Sequence, residues 1–270
     1  MAVLVSTVVA GACSGTGDAP ASRGAEEGPD TSAQPSPTSA EGQSYDTARV
    51  VVHMGEHFWA LADAHDAAIA GNLDSLRDAA DRLASHEPAA DLPPAAQTHM
   101  ATLLERSRAA ARVETLADAG LALSRVAASC GACHEELGRP LPVLLEEDPL
   151  LVEGGALEDA STGRPGLQEG MSAHIRGADL LWDALIAPSP EAWEAGIALL
   201  ADTEIAPEAV TESDESRRTV ASLLERLAAL AEQGQDAPAA QRPEVYGALV
   251  TTCGECHRAL GRGFGRQDPG

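Results

Sequence analysis

The chain has 270 residues and a mass of 27.7 kDa, room for two ordinary domains or one large one, so burying a core is not the difficulty. Apolar residues make up 44% but aromatics only 3%, so the apolar content is small and aliphatic, which suits helices and excludes an all-β fold. Eighteen basic residues, all of them arginine, face 42 acidic ones for a formal net charge of -24. Such a surface repels phosphate backbones and anionic lipid, which excludes nucleic acid and leaves basic proteins as the partners its field would steer.

Residues 1–13, MAVLVSTVVAGAC, are apolar but too short for a bilayer span of about 20 residues, and they read as an export signal. Ala10, Gly11 and Ala12 before Cys13 resemble the lipobox of bacterial lipoproteins. That resemblance implies lipidation of Cys13, attachment to the membrane through that anchor alone, and a place on the periplasmic side of a bacterial membrane; the alternative is soluble periplasmic export. Residues 14–44 are Ser, Gly, Pro, Glu and Thr with scattered Ala, a composition that cannot form a packed core and predicts a disordered tether. Prolines and glycines at irregular spacing mark residues 140–165 as a linker.

The two remaining segments, 45–139 and 166–270, are copies of one another. At a shift of 117, Met54 falls on Met171, His57 on His174, Asp66 on Asp183, Ile69 on Ile186 and Leu83 on Leu200. LLER recurs at a shift of 120, and CGACHEELGR (Cys130 to Arg139) recurs at 123 as CGECHRALGR (Cys253 to Arg262). Two small insertions between helices account for the drift, and the segment is a duplicated domain.

Within each copy apolar residues recur at three and four, the helical period. This predicts helices near 46–69, 73–86, 95–117 and 119–136 in the first copy, with breaks at Asn72, at HEPAADLPP and at Gly120. In the second copy it predicts helices near 167–187, 211–233 and 240–259. Another starts at Ser189 as cap, with Pro190 at its first position and Glu191 in its first turn. Four amphipathic helices with short connections predict an antiparallel bundle, so the expected fold is all-α, two four-helix bundles in tandem.

The chemistry lies in Cys130-Gly131-Ala132-Cys133-His134 and Cys253-Gly254-Glu255-Cys256-His257. Two thiols three positions apart on one helical turn suit addition to the two vinyl groups of a haem, with the adjacent histidine reaching the iron. One such run alone also suits a redox dithiol or half a zinc site. The dithiol reading lacks a βαβ context, and the zinc reading has three soft ligands per domain and no fourth. Two runs at corresponding places in duplicated domains behind an export-like leader favour two covalently attached haems c, bound through Cys130, Cys133, Cys253 and Cys256 with His134 and His257 as proximal ligands.

CxxCH on the last helix of a bundle, with MGEHF and MSAHI on each first helix, resembles the class II c-type cytochromes, the cytochrome c-prime and c-556 group, over roughly residues 46–139 and 166–262. The resemblance implies the opposing ligand position on the first helix. Members of that group carry a basic residue shortly before that position; Arg49 stands there in the first copy, and only the more distant Arg164 in the second. No Met or His follows His257, and none lies between His134 and Met171, so any sixth ligand comes from upstream. The candidates are Met54 or His57 in the first domain and Met171 or His174 in the second, or no protein ligand.

His53, His65 and Asp66 lie close on the first helix, but the second copy has Gly170 at the place of His53 and Trp182 at that of His65. They read as polar-face residues, and His86 as a solvated helix-end residue. His99 and Met100 are candidates to line the first haem pocket. Trp59, Trp182 and Trp193 read as packing against neighbouring helices or the porphyrin edge. These readings predict a non-enzymatic, di-haem carrier of single electrons between periplasmic redox proteins. The alternative is a gas-binding or sensing protein with an iron open to nitric oxide or carbon monoxide.

Overall fold

The structure is a computed structural model that describes residues 47–88, 92, 94–138, 141 and 167–261, without the side chains of residues 47–49. Cys13, the leader, the tether, nearly all of the 140–165 linker, Arg164 and the side chain of Arg49 lie outside the described residues. Among the described residues every regular element is helical. No described helix is long and apolar enough to cross a membrane.

Helix α1 runs Thr47–Ile69 and ends at Gly71, whose φ of 69° is the left-handed conformation that terminates helices cheaply only at glycine. Asn72 then caps α2 (Leu73–Ala84), its side chain accepting from the Ser75 amide at 3.1 Å. Leu76, Ala79, Ala80 and Leu83 make the buried stripe of α2 at intervals of three and four. Helices α3 (Pro94–Ala110) and α4 (Leu116–Glu136) follow, the latter capped by Thr115, which accepts from the Asp118 amide.

In the second half α5 is Leu167–Ile186 and α6 is Pro190–Asp202. Ser189 caps α6 by accepting from the Ala192 amide at 3.1 Å, with Pro190 and Glu191 placed as the sequence predicts. A four-residue helix α7 (Pro207–Val210) precedes α8 (Asp214–Gln235), and a 3-10 turn, Ala239–Gln241, leads into α9 (Arg242–Ala259).

Gly120 does not break a helix. The third helix stops at Ala110, because Thr115 caps the fourth before Gly120 is reached. Gly120 instead lies inside α4 where α9 crosses it, and a Cβ there would run into the carbonyl oxygen of Gly247 and Oγ1 of Thr251. Gly247 in turn meets the backbone of Gly120 and Leu121. Missing side chains let the two backbones approach closely, and among the described residues α4 against α9 is as extensive a helix pairing as α5 against α6.

The described residues fall in one compact unit. The seam between the two halves is built by crossing over: α1 packs on α9 more than on α4, and α5 on α4 more than on α9. One core cluster runs across the seam, taking in Leu76, Leu123, Leu181, Trp193, Tyr246 and Leu249, none more than 2% exposed. Each large side chain so buried contributes about 1.5–3 kcal/mol against leaving it in water. A smaller cluster of Leu167, Ile205, Val210 and Val220 closes the far end of the second half.

Candidate functional site

Each CxxCH run opens on an apolar cavity. The first, of about 440 Å³, is walled by Met54, His57 and Phe58 from α1, His99 and Met100 from α3, and Cys130, Cys133 and His134 from α4. The second, of about 150 Å³, is walled by Met171 and His174 from α5, Leu223 and Leu227 from α8, and Cys253, Cys256 and His257 from α9. Every site residue expected from the sequence therefore faces one of the two cavities, grouped by half. His99 and Met100 also line the first, as the sequence proposes.

The histidines differ in how they are held. His257 donates from Nδ1 to the Ile69 carbonyl at 2.7 Å, which fixes the tautomer and leaves the lone pair on Nε2. Ile69 ends the first helix of the other half. Nε2 of His174 is buried with no partner. Burial lowers its pKa, and the backbone of Thr203 opposes the shift.

His57, 6% exposed, has no partner at either ring nitrogen. Its pKa is lowered from 6.5 to about 4, chiefly by burial and then by repulsion from His53 and His86. Those two rings lie against it, with centroids 4.2 and 5.0 Å away. Neither is the solvated residue its sequence position suggests, since Nε2 of His53 and Nδ1 of His86 are buried and unpartnered. Buried polar atoms are normally paired, and the protein itself offers no partner to these imidazole nitrogens, of which those of His57 and His174 are at the cavity walls. Among the described residues no three His, Cys, Asp or Glu side chains are placed to hold a bare metal ion.

The thiols of Cys130 and Cys253 are pushed up to about 12, first by burial and then by the neighbouring Cys133 and Cys256. They are held as neutral thiols, unlike the activated thiolates of dithiol oxidoreductases. Asp183, at the wall of the first cavity, has its carboxyl raised by burial and next by Asp179.

Gly131 and Gly254, at the second position of each CxxCH, escape a reading that looks for ligands. A Cβ at Gly131 would strike the Leu185 carbonyl at the end of α5, and one at Gly254 the Ala68 carbonyl at the end of α1. Ala68 and Leu185 are themselves equivalent at the 117 shift, so each CxxCH turn is pressed onto the end of the other half's first helix. The shared glycine in the two runs was the available signal.

Two further expectations fail. His65 is not on a polar face: it is 4% exposed, with Nε2 2.5 Å from the Tyr246 hydroxyl, because α1 is buried on that side by the other half. Trp59 does not pack but is 70% exposed, with Val51, Val52 and Phe58 also exposed along α1. Trp182 and Trp193 are core residues, the latter donating from Nε1 to the Gly234 carbonyl at 2.9 Å.

No protein-family model, no curated protein and no solved structure matches this chain.

Proposed function

We propose that the chain is a di-haem c-type cytochrome that carries single electrons between redox proteins, built from two duplicated helical bundles of the kind found in the class II c-type cytochromes. One observation carries the reading. In both halves the two cysteines, the adjoining histidine and the Met/His pair of the first helix converge on one buried apolar cavity.

The residues fit the group. Cys130 with Cys133, and Cys253 with Cys256, would hold the vinyl carbons as thioethers, and His134 and His257 would take the iron from the proximal side. Burial raises the Cys130 and Cys253 thiols, which sets them apart from the activated thiolates of dithiol oxidoreductases. Haem, when bound, supplies a one-electron iron couple. The protein would supply the iron's ligands from His134 and His257 and the apolar walls around them, and the Ile69 carbonyl orients His257.

His174 is the sixth ligand this geometry favours in the second site: it lines the cavity, and its buried Nε2 has no other partner. His57 holds the equivalent place in the first site, with Met54 beside it. Lipid attachment at Cys13 on the periplasmic face, and docking to partners with basic surfaces, belong to the same proposal.

A second reading, a gas-binding protein, draws on the larger first cavity and the absence of an orienting hydrogen bond on His57. An absorption spectrum of the reduced protein with and without carbon monoxide separates them. An electron carrier keeps both low-spin spectra unchanged; a gas-binding protein shows a carbon monoxide complex at one site at least.

A further inference from the structure

His65 and Trp182 occupy the same position in the two copies, and in the fold they stack on one another, with centroids 4.5 Å apart and planes at 22°. A residue that touches its own duplicate lies on the pseudo-two-fold axis relating the copies. On α1, Leu61, His65 and Ile69 follow at intervals of four and so share one helix face. Leu61 lines the first cavity and Ile69 the second. On α5 the order is reversed: Ala178 lines the second cavity, Ile186 the first, and Trp182 stands between them. The stack is therefore about 6 Å of helix, one turn or so, from a wall residue of either cavity on both helices.

Tyr246 completes the cluster. Its hydroxyl is 2.5 Å from His65 Nε2, its ring is 6.0 Å from Trp182, and it sits on α9 seven residues before Cys253. Toward the second site the connection is bonded, because His257 donates to the Ile69 carbonyl one turn beyond His65. All three rings are buried, and the ligand chemistry of the two cavities uses none of them.

We propose that His65, Trp182 and Tyr246 are the bridge for electron exchange between the two haem sites, an inference that rests on the di-haem reading. One electron leaves the ferrous iron of one site, which is oxidised, and reduces the ferric iron of the other. No bond forms or breaks, and the proton shared by His65 and Tyr246 stays in its hydrogen bond. Between halves that meet only by non-covalent contact, tunnelling must cross gaps. Stacked rings offer contiguous π orbitals where an aliphatic seam offers van der Waals separations. The close backbone crossing at Gly120 and Gly247 offers no ring, since both residues lack a side chain.

The test uses the full haem-loaded chain, half reduced. Electron exchange is read from the broadening of paramagnetically shifted haem methyl resonances, with haem content and both midpoint potentials measured alongside. Trp182→Leu should slow exchange by at least an order of magnitude with two haems retained, Trp182→Phe should restore most of it, and Trp59→Leu should leave it unchanged. His65→Leu cuts the same pair from the other helix and carries the same expectation, should the Trp182 change prevent folding. Wild-type exchange rates in the leucine variants that retain two haems would overturn the bridge. A wild-type chain without two haems would instead defeat the reading it rests on.

Discussion

The first and second cavities hold the same kit of two cysteines, a following histidine and a Met/His pair, yet they are not equivalent surroundings. The first is about 440 Å³ and keeps His53, His86, His99, Met100 and Asp183 at or behind its walls. The second is about 150 Å³, mostly aliphatic, with His257 bonded to the Ile69 carbonyl. The two halves share the groups that line the cavities, and they differ in the shell behind them. Access and potential are set in that shell, so the two sites should be chemically unequal.

The hardest test of that comparison removes one kit. Cys253→Ala with Cys256→Ala should lower covalent haem from two per chain to one and leave the first site's spectrum intact, as measured by pyridine haemochrome and visible absorption. Loss of both haems would show that the second site props up the first. The seam comes next: Gly120→Leu puts a side chain into the Gly247 carbonyl and should cost about 1–3 kcal/mol in urea denaturation. Since the core crosses the seam, one transition should persist; two separated transitions would mean the halves fold independently.

The distal residues give a finer comparison. His174→Ala should abolish the low-spin spectrum of the second site and open it to carbon monoxide, while Met171→Ala leaves coordination unchanged. A ferric band near 695 nm, the known mark of methionine ligation, present in the wild type and lost in Met171→Ala, would reverse that assignment. The smallest effect concerns pH. His57 is unprotonated in the fold down to about 4, whereas the unfolded chain protonates it near 6.5. Its contribution to stability is therefore complete above 6.5 and is lost as pH falls from 6.5 toward 4. These shifts belong to the chain without haem, because iron on the ring would itself exclude the proton. Asp179 and Asp183, raised by burial, act in the opposite sense, so the contribution is read in haem-free protein from the urea midpoint of wild type relative to His57→Met. Wild type should lose stability relative to the variant between pH 6.5 and pH 4; a constant difference would mean His57 is not buried as described.

Much of this was legible in the chain. Helical periodicity, the Asn72 and Ser189 caps and the 117-residue repeat locate the helices, because these signals are local. Convergence of Met54, His57, Cys130 and His134 on one cavity follows from the order of helices in a bundle. The seam does not, because it depends on how one copy docks on the other. His65 reads as polar by its neighbours on α1, and only α5 and α9 folding over it make it core. Gly120 reads as a helix break until α9 supplies the reason for a missing side chain. Trp59 fails the other way, an aromatic left outside by a helix whose buried face is already fixed.

The central claim, that each half holds a covalently attached haem, is tested most directly by pyridine haemochrome analysis of the full-length protein combined with haem staining after denaturing electrophoresis. The account predicts two haems per chain that stay with the polypeptide when it is denatured. One haem, none, or cysteines that remain open to alkylation at both CxxCH runs would contradict it.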